Sequence, residues 1–241
     1  MRKKQLILSV IIAALLFVSP IAFAVEFGPN SAKITNQYYP APVGGWSYML
    51  GVGTWAGRVN YANVVGIEEV SGAQIGAETF NNVQCLKVNM IMTELNDEDP
   101  DEFITIWMAQ DTEGNVWFLK IYIVPDNETF LLGTLFTSMF MPAVPDVGDP
   151  AGIIGGEDPD HTYCQVDAAD ITVNTNFGSY SGCIKSICLY NSSIEGVEYY
   201  CPDEGEVRTT KENTSNPQNV LDLKEYGNAT VTKAVVIPMM N

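Results

Sequence analysis

Histidine is almost missing from this chain: one residue, His161, in 241. A Ser-His-acid or Cys-His catalytic arrangement would have to use it. It lies in Asp158-Pro-Asp-His161, a loop composition in which a lone histidine is ordinarily just exposed. A nucleophile elbow is also missing. In Gly178-Ser-Tyr-Ser-Gly182 the serines, Ser179 and Ser181, flank the central position, which Tyr180 holds. No two of the five cysteines form a C-x-x-C pair, and with one histidine a zinc site has no ordinary ligand set. Gly51-Val-Gly53-Thr-Trp-Ala56 carries the letters of the dinucleotide fingerprint. That fingerprint works only where a strand turns into a helix, and Arg58 to Val70 reads as strand, so the glycines mark a turn or bulge. No catalytic residue, metal site or cofactor is assigned, and the chain reads as non-enzymatic. A carboxylate-based hydrolase stays as an alternative, because 29 Asp and Glu offer many pairs.

Basic residues are scarce too, at 12 Lys plus Arg. Three of them, Arg2, Lys3 and Lys4, open a leader-like segment. The apolar run Leu6 to Val18 follows, and then Ala22-Phe23-Ala24, the small-x-small pattern of a cleavage site. The run is short for a membrane span. Residues 1–24 therefore read as a signal peptide cleaved before Val25, which predicts periplasmic or secreted localisation and no stable membrane insertion afterwards. The first cysteine is Cys85, so no amino-terminal lipid site is present. Cleavage leaves 217 residues with 9 Lys plus Arg against 29 acids, a formal charge of -20. Such a surface repels phosphate backbones and anionic headgroups, which excludes nucleic acid as a partner.

An export compartment permits disulfides. Five cysteines leave at least one unpaired within the chain. Cys183 and Cys188 lie on one predicted strand, and their odd separation puts them on opposite faces. A turn over Asn191 to Gly196 predicts that Cys188 pairs with Cys201.

Fixed-period repeats and low-complexity tracts are absent. What remains is β texture: short apolar and aromatic runs cut by Gly, Asn and Asp. Residues 25–40 read as an extended lead-in and 41–241 as one β-rich domain. In Val83 to Thr93, the face formed by Leu86, Val88, Met90 and Met92 is more apolar than that of Cys85, Lys87 and Asn89. Phe103 to Val124 reads as a β-hairpin around Asp111-Thr-Glu-Gly-Asn115, with Gly114 taking the positive φ of the loop. In Phe130 to Met141 the residues Leu132, Leu135, Phe136, Met139 and Phe140 share a helical face, predicting a short helix, with a buried strand pair as the alternative. The fold class is thus mainly all-β: a curved antiparallel sheet or β-barrel with one or two short helices.

Acidic runs are the other prominent feature. Asp97, Asp99 and Asp101 in Glu94 to Glu102 are the best calcium candidates, but the EF-hand spacing is missing and a solvated loop is the simpler reading. Four glycosylation sequons, at Asn127, Asn191, Asn213 and Asn228, agree with exposed loops. Trp107, Trp117, Tyr122, Met139 and Phe140 are close in sequence and could line an apolar pocket, Met being adaptable to irregular ligands.

Asp111-Thr-Glu-Gly-Asn-Val-Trp117 and Tyr199-Tyr-Cys-Pro-Asp-Glu-Gly-Glu-Val-Arg208 resemble the D-x-x-G-N-V-W and Y-Y-x-P-x-x-G-x-V segments of a family of uncharacterised bacterial exported proteins and lipoproteins. The resemblance implies a lipocalin-like or lipoprotein-carrier-like β fold and no catalytic residues. This chain departs from the pattern at Cys201, at Asp203-Glu204 and in lacking the lipid site. Two functions are expected from the whole: binding of a small apolar or amphiphilic ligand, or a structural or protein-interaction role in the cell envelope. The oligomeric state is left open.

Overall fold

The computed structural model describes residues 25–52, 58–75, 77–94, 102–124, 128–130, 139–151, 163–190, 193–211 and 220–228. Their strands are β1 (Gly45–Val52), β2 (Arg58–Val70), β3 (Ala73–Ile75), β4 (Glu78–Phe80), β5 (Val83–Glu94), β6 (Glu102–Gln110) and β7 (Val116–Val124). There follow β8 (Glu128–Phe130), β9 (Met139–Met141), β10 (Tyr163–Asn174), β11 (Ser179–Tyr190), β12 (Ser193–Cys201), β13 (Gly205–Lys211) and β14 (Val220–Asn228). Twelve form one antiparallel sheet in the order β10-β11-β12-β13-β14-β1-β2-β5-β6-β7-β8, with β9 also on β7; β3 and β4 make a separate hairpin. No helix among the described residues is long and apolar enough to cross a membrane.

The sheet is curved, and its ring contacts show how strongly. Seven inter-strand steps separate β7 from β12, about 34 Å if the sheet were flat. Yet Phe140 of β9 stacks on Phe118 of β7 at 4.4 Å and meets the edge of Tyr200 of β12 at 5.8 Å. The two ends therefore curl round a shared interior, where Val64, Leu86, Val88, Ile106 and Met108 pack with Val166, Ile184 and Tyr200. The gap between the ends is bridged by a strap. Met139 and Met141 pair with β7. The chain then crosses to β10, where Gly148 N donates to Val166 O, Val166 N to Asp149 O, and Ala151 N to Cys164 O.

Period-two alternation gives β5, β6 and β7 two buried faces. Leu86, Met108 and Phe118 point into the curl. Cys85, Trp107, Trp117 and Leu119 point the other way, under the β3–β4 hairpin and the lead-in residues Val25 and Phe27. Residues 25–42 do not simply precede the sheet. Ile34, Tyr39 and Ala41 pack inside the curl. The Asn36 amide donates to Gly114 O and Pro142 O, while Asp203 N donates to Gln37 O.

The expected hairpin forms as β6 and β7, with Gly114 at φ 97°. Asp111 holds the turn: its carboxylate accepts from the Glu113 and Asn115 amides and from Trp117 Nε1. Two expectations are corrected. Phe130 and Met139–Met141 are strand, because the edge of β7 offers backbone partners to both segments and pairing outweighs helical periodicity; residues 131–138 of the expected helix lie outside the described residues. Cys188 does not pair with Cys201. The disulfides are Cys164–Cys188 and Cys183–Cys201, because the register sets Cys164 opposite Cys188, whereas Gly196, not Cys201, faces Cys188 across β11 and β12. Cys85 is free and buried, and burial pushes its thiol up to about 12.

Candidate functional site

The site grows from one irregularity in the β12–β13 hairpin. Tyr199 faces Arg208 and Tyr200 faces Glu206, leaving Val207 as an extra residue. Two residues apart on a regular strand, Glu206 and Arg208 would share a face; the bulge separates them. Arg208 then binds the buried Asp222, Nε to Oδ1 at 2.6 Å, and Glu206 turns with Tyr200 into the curl.

Inside the curl is a cavity of about 290 Å³. Its lining includes Ala62, Val64, Val88 and Met90 of β2 and β5, Glu204 and Glu206 with Tyr39 of the lead-in segment, and Trp46, Tyr61 and Tyr226. Trp46 can lie across β14 because residue 227 is glycine: a Cβ there would fall 2.8 Å from the indole ring. Tyr226, 54% exposed, marks the mouth.

Behind Glu206 lies a buried polar group. The Tyr200 hydroxyl donates to Glu198 Oε2 at 2.7 Å, and a Glu198 carboxylate oxygen comes within 4.8 Å of the sulfurs of Cys164 and Cys188. Those sulfurs are bonded to each other, so they offer no thiolate to a metal. Burial raises the Glu198 carboxyl above its ordinary 4.5, with the Tyr200 hydrogen bond pulling it back. Burial, and then the charge of Glu198, raises Glu206 well above 4.5. Burial likewise raises the Tyr200 and Tyr39 phenols, and both glutamates add to it. Two enclosed carboxyls that feel each other do not both ionise easily, so this pair can hold a proton where surface carboxylates cannot. Glu204 Oε2 is buried without a hydrogen-bond partner among the described residues, while the Tyr226 hydroxyl interacts with the same carboxylate.

The five residues expected to bind a ligand lie elsewhere. Trp107, Trp117, Tyr122 and Met139 gather on the opposite face of β5–β7. Phe140 is in the interior, packed against Phe118, Tyr39 and Tyr200. Trp117 and Met139 border a separate open cleft near Val25 and Pro150; none of the five lines the central cavity. Asp97, Asp99, Asp101 and His161 fall outside the described residues. Gly51 is inside β1, which pairs antiparallel with β2 and so does not belong to the parallel unit the nucleotide fingerprint requires; residues 53–57 lie outside the described residues. Sequence reasoning missed Tyr39, Trp46, Glu198, Tyr200, Glu204 and Glu206 as site residues. The signal was the segment Tyr199 to Arg208, whose short Cys-Pro-Asp-Glu-Gly turn brings Tyr200 and Glu206 together.

No protein-family model matches the chain, and no curated protein matches it either. Two solved structures are similar at low level. One is a candidate exported protein with a YmcC-like fold from Bacteroides fragilis, 13% identical, matched over 80% of this chain and 100% of that one with a TM-score of 0.43. The other is a candidate lipoprotein from Parabacteroides distasonis, 12% identical, matched over 80% of this chain and 99% of that one with a TM-score of 0.35. Likenesses of this size do not bear on the site.

Proposed function

We propose that the protein is exported, loses residues 1–24, and binds a small amphiphilic molecule in the cavity inside the curled sheet. The observation that carries this reading is the mixed lining of the 290 Å³ cavity, which combines the apolar side chains of Val64, Val88 and Met90 with the carboxyls of Glu204 and Glu206 and the Tyr39 phenol. A space that only the protein's own side chains were meant to fill would gain nothing from carboxyls facing it, because a buried carboxyl oxygen without a partner, such as Glu204 Oε2, costs stability. Export is supported by the leader-like residues 1–24 and by two disulfides, which persist in oxidising compartments.

Native mass spectrometry of protein purified without detergent tests the reading. A co-purifying mass of a few hundred daltons is expected, or an affinity for short amphiphiles that shifts the fluorescence of Trp46 in the cavity wall. Trp46→Phe removes that shift, whereas Trp107 and Trp117, buried on the other face, do not respond. A bare protein mass together with unchanged fluorescence across an amphiphile panel rejects ligand binding and leaves the structural role.

A further inference from the structure

We infer that the cavity selects a cationic headgroup, and that its ligand is a compact amphiphile carrying an ammonium. The inference rests on the binding reading above and adds the charge of the ligand. Asp203, Glu204 and Glu206 all line the cavity, and among the described residues no Lys, Arg or His lines it. An anionic amphiphile, such as a fatty acid, would add a further acidic group to Asp203, Glu204 and Glu206, with no cation among the described lining residues to offset them. A neutral alcohol could donate one hydrogen bond and would leave the remaining carboxyl oxygens unmet. An ammonium answers both needs. It supplies charge and several donors to the carboxyls of Glu204 and Glu206, the first with its Oε2 buried and lacking a hydrogen-bond partner among the described residues.

The rest of the lining fits the same chemistry. Tyr39, Trp46, Tyr61 and Tyr226 present aromatic rings to the space, and ring faces attract alkylammonium groups more strongly as water is excluded. Ala62, Val64, Val88 and Met90 accept an alkyl body. The volume of about 290 Å³ lies at the small end of ligand pockets, which suits a single short chain over a diacyl lipid. Binding would also move a proton. Burial, and then the charge of Glu198, shift Glu206 toward its protonated form. An incoming ammonium favours the carboxylate, so the proton leaves to solvent as the ion pair forms.

Isothermal titration at pH 7 with octylammonium, octanol and octanoate, repeated in two buffers of different ionisation enthalpy, reads this out. The expected order is octylammonium tightest, by roughly tenfold over octanol, with octanoate weakest. Octylammonium alone should show a buffer-dependent enthalpy corresponding to proton release. Glu206→Gln should bring octylammonium to the level of octanol, abolish the buffer dependence and keep octanol binding, which also reports an intact cavity. Glu204→Gln, at the turn, should reduce the preference partially. Octanol binding as tightly as octylammonium, or octanoate binding best, overturns the cationic inference and leaves the binding reading standing. Failure of all three to bind the wild-type protein overturns both.

Discussion

Asp111 shows how much one side chain can organise. Only 7% exposed, it accepts from the Glu113 amide at 3.0 Å, the Asn115 amide at 2.8 Å, Asn115 Nδ2 at 2.9 Å and Trp117 Nε1 at 2.8 Å. Asp111→Ala leaves these donors unmet, and the expected loss is about 3 kcal/mol in urea unfolding, with Asp111→Asn intermediate. A loss below roughly 1 kcal/mol would show that the turn is held by other contacts. Glu206 makes the opposite case, a residue whose placement costs stability. Its folded-state pKa stands above the ordinary 4.5, so the native state keeps a proton that the unfolded chain gives up. Stability from this group is therefore complete below pH 4.5 and is lost as pH rises through the folded-state value. Glu206→Gln should match the wild type near pH 4.5 and melt higher at pH 8, by about 2–4 °C for each kcal/mol recovered. Equal melting temperatures for the two proteins at pH 8 would place Glu206 in a solvated position instead.

At the level of elements, local chemistry was readable and long-range register was not. The β6–β7 hairpin could be read because its turn residues, Asp111 and Gly114, lie between two β-branched, aromatic arms and need no distant partner. The two faces of β5 could be read from alternation, which sets Leu86 and Val88 in the curl and Cys85 outside it. The helix reading failed at its ends for a physical reason: Phe130 and Met139 find backbone partners on β7, which no periodicity within the segment reveals. The disulfides failed similarly. Proximity along the chain suggested Cys188 with Cys201, but bulges and register shifts along β10, β11 and β12 decide which cysteines face each other. The resulting bonds, Cys164–Cys188 and Cys183–Cys201, span 24 and 18 residues. Loop-closure entropy grows slowly with length, so replacing either pair by alanine should cost about 3 kcal/mol, with the two losses nearly equal. Denaturant midpoints of the two double variants check this. A loss confined to one pair would mean that the other constrains a segment already ordered in the unfolded chain.

The cavity belongs to the whole molecule, and for that reason no stretch of sequence announced it. Its walls come from Tyr39, from Val64 and Val88 in mid-sheet, and from Glu206 far along the chain, and they meet only because a long sheet curls. Phe140 is one of the contacts that join the two ends of the curl. It stacks on Phe118 at one end, touches Tyr200 at the other, and meets the Tyr39 ring at 4.8 Å from inside. Removing its ring deletes all three contacts at once, so Phe140→Ala should lower stability by about 3–5 kcal/mol, whereas Phe140→Leu, which refills most of the volume, should cost less than half of that. The two ends should also separate energetically. In the wild type, hydrogen exchange in mild denaturant is expected to deprotect β5–β7 and β10–β12 together, because one interior serves both. In Phe140→Ala, β10–β12 should still be held by their disulfides while β5–β7 open at lower denaturant. If the variant loses protection uniformly, the curl is maintained by the strap and the lead-in segment, and the Phe140 ring only fills space within it.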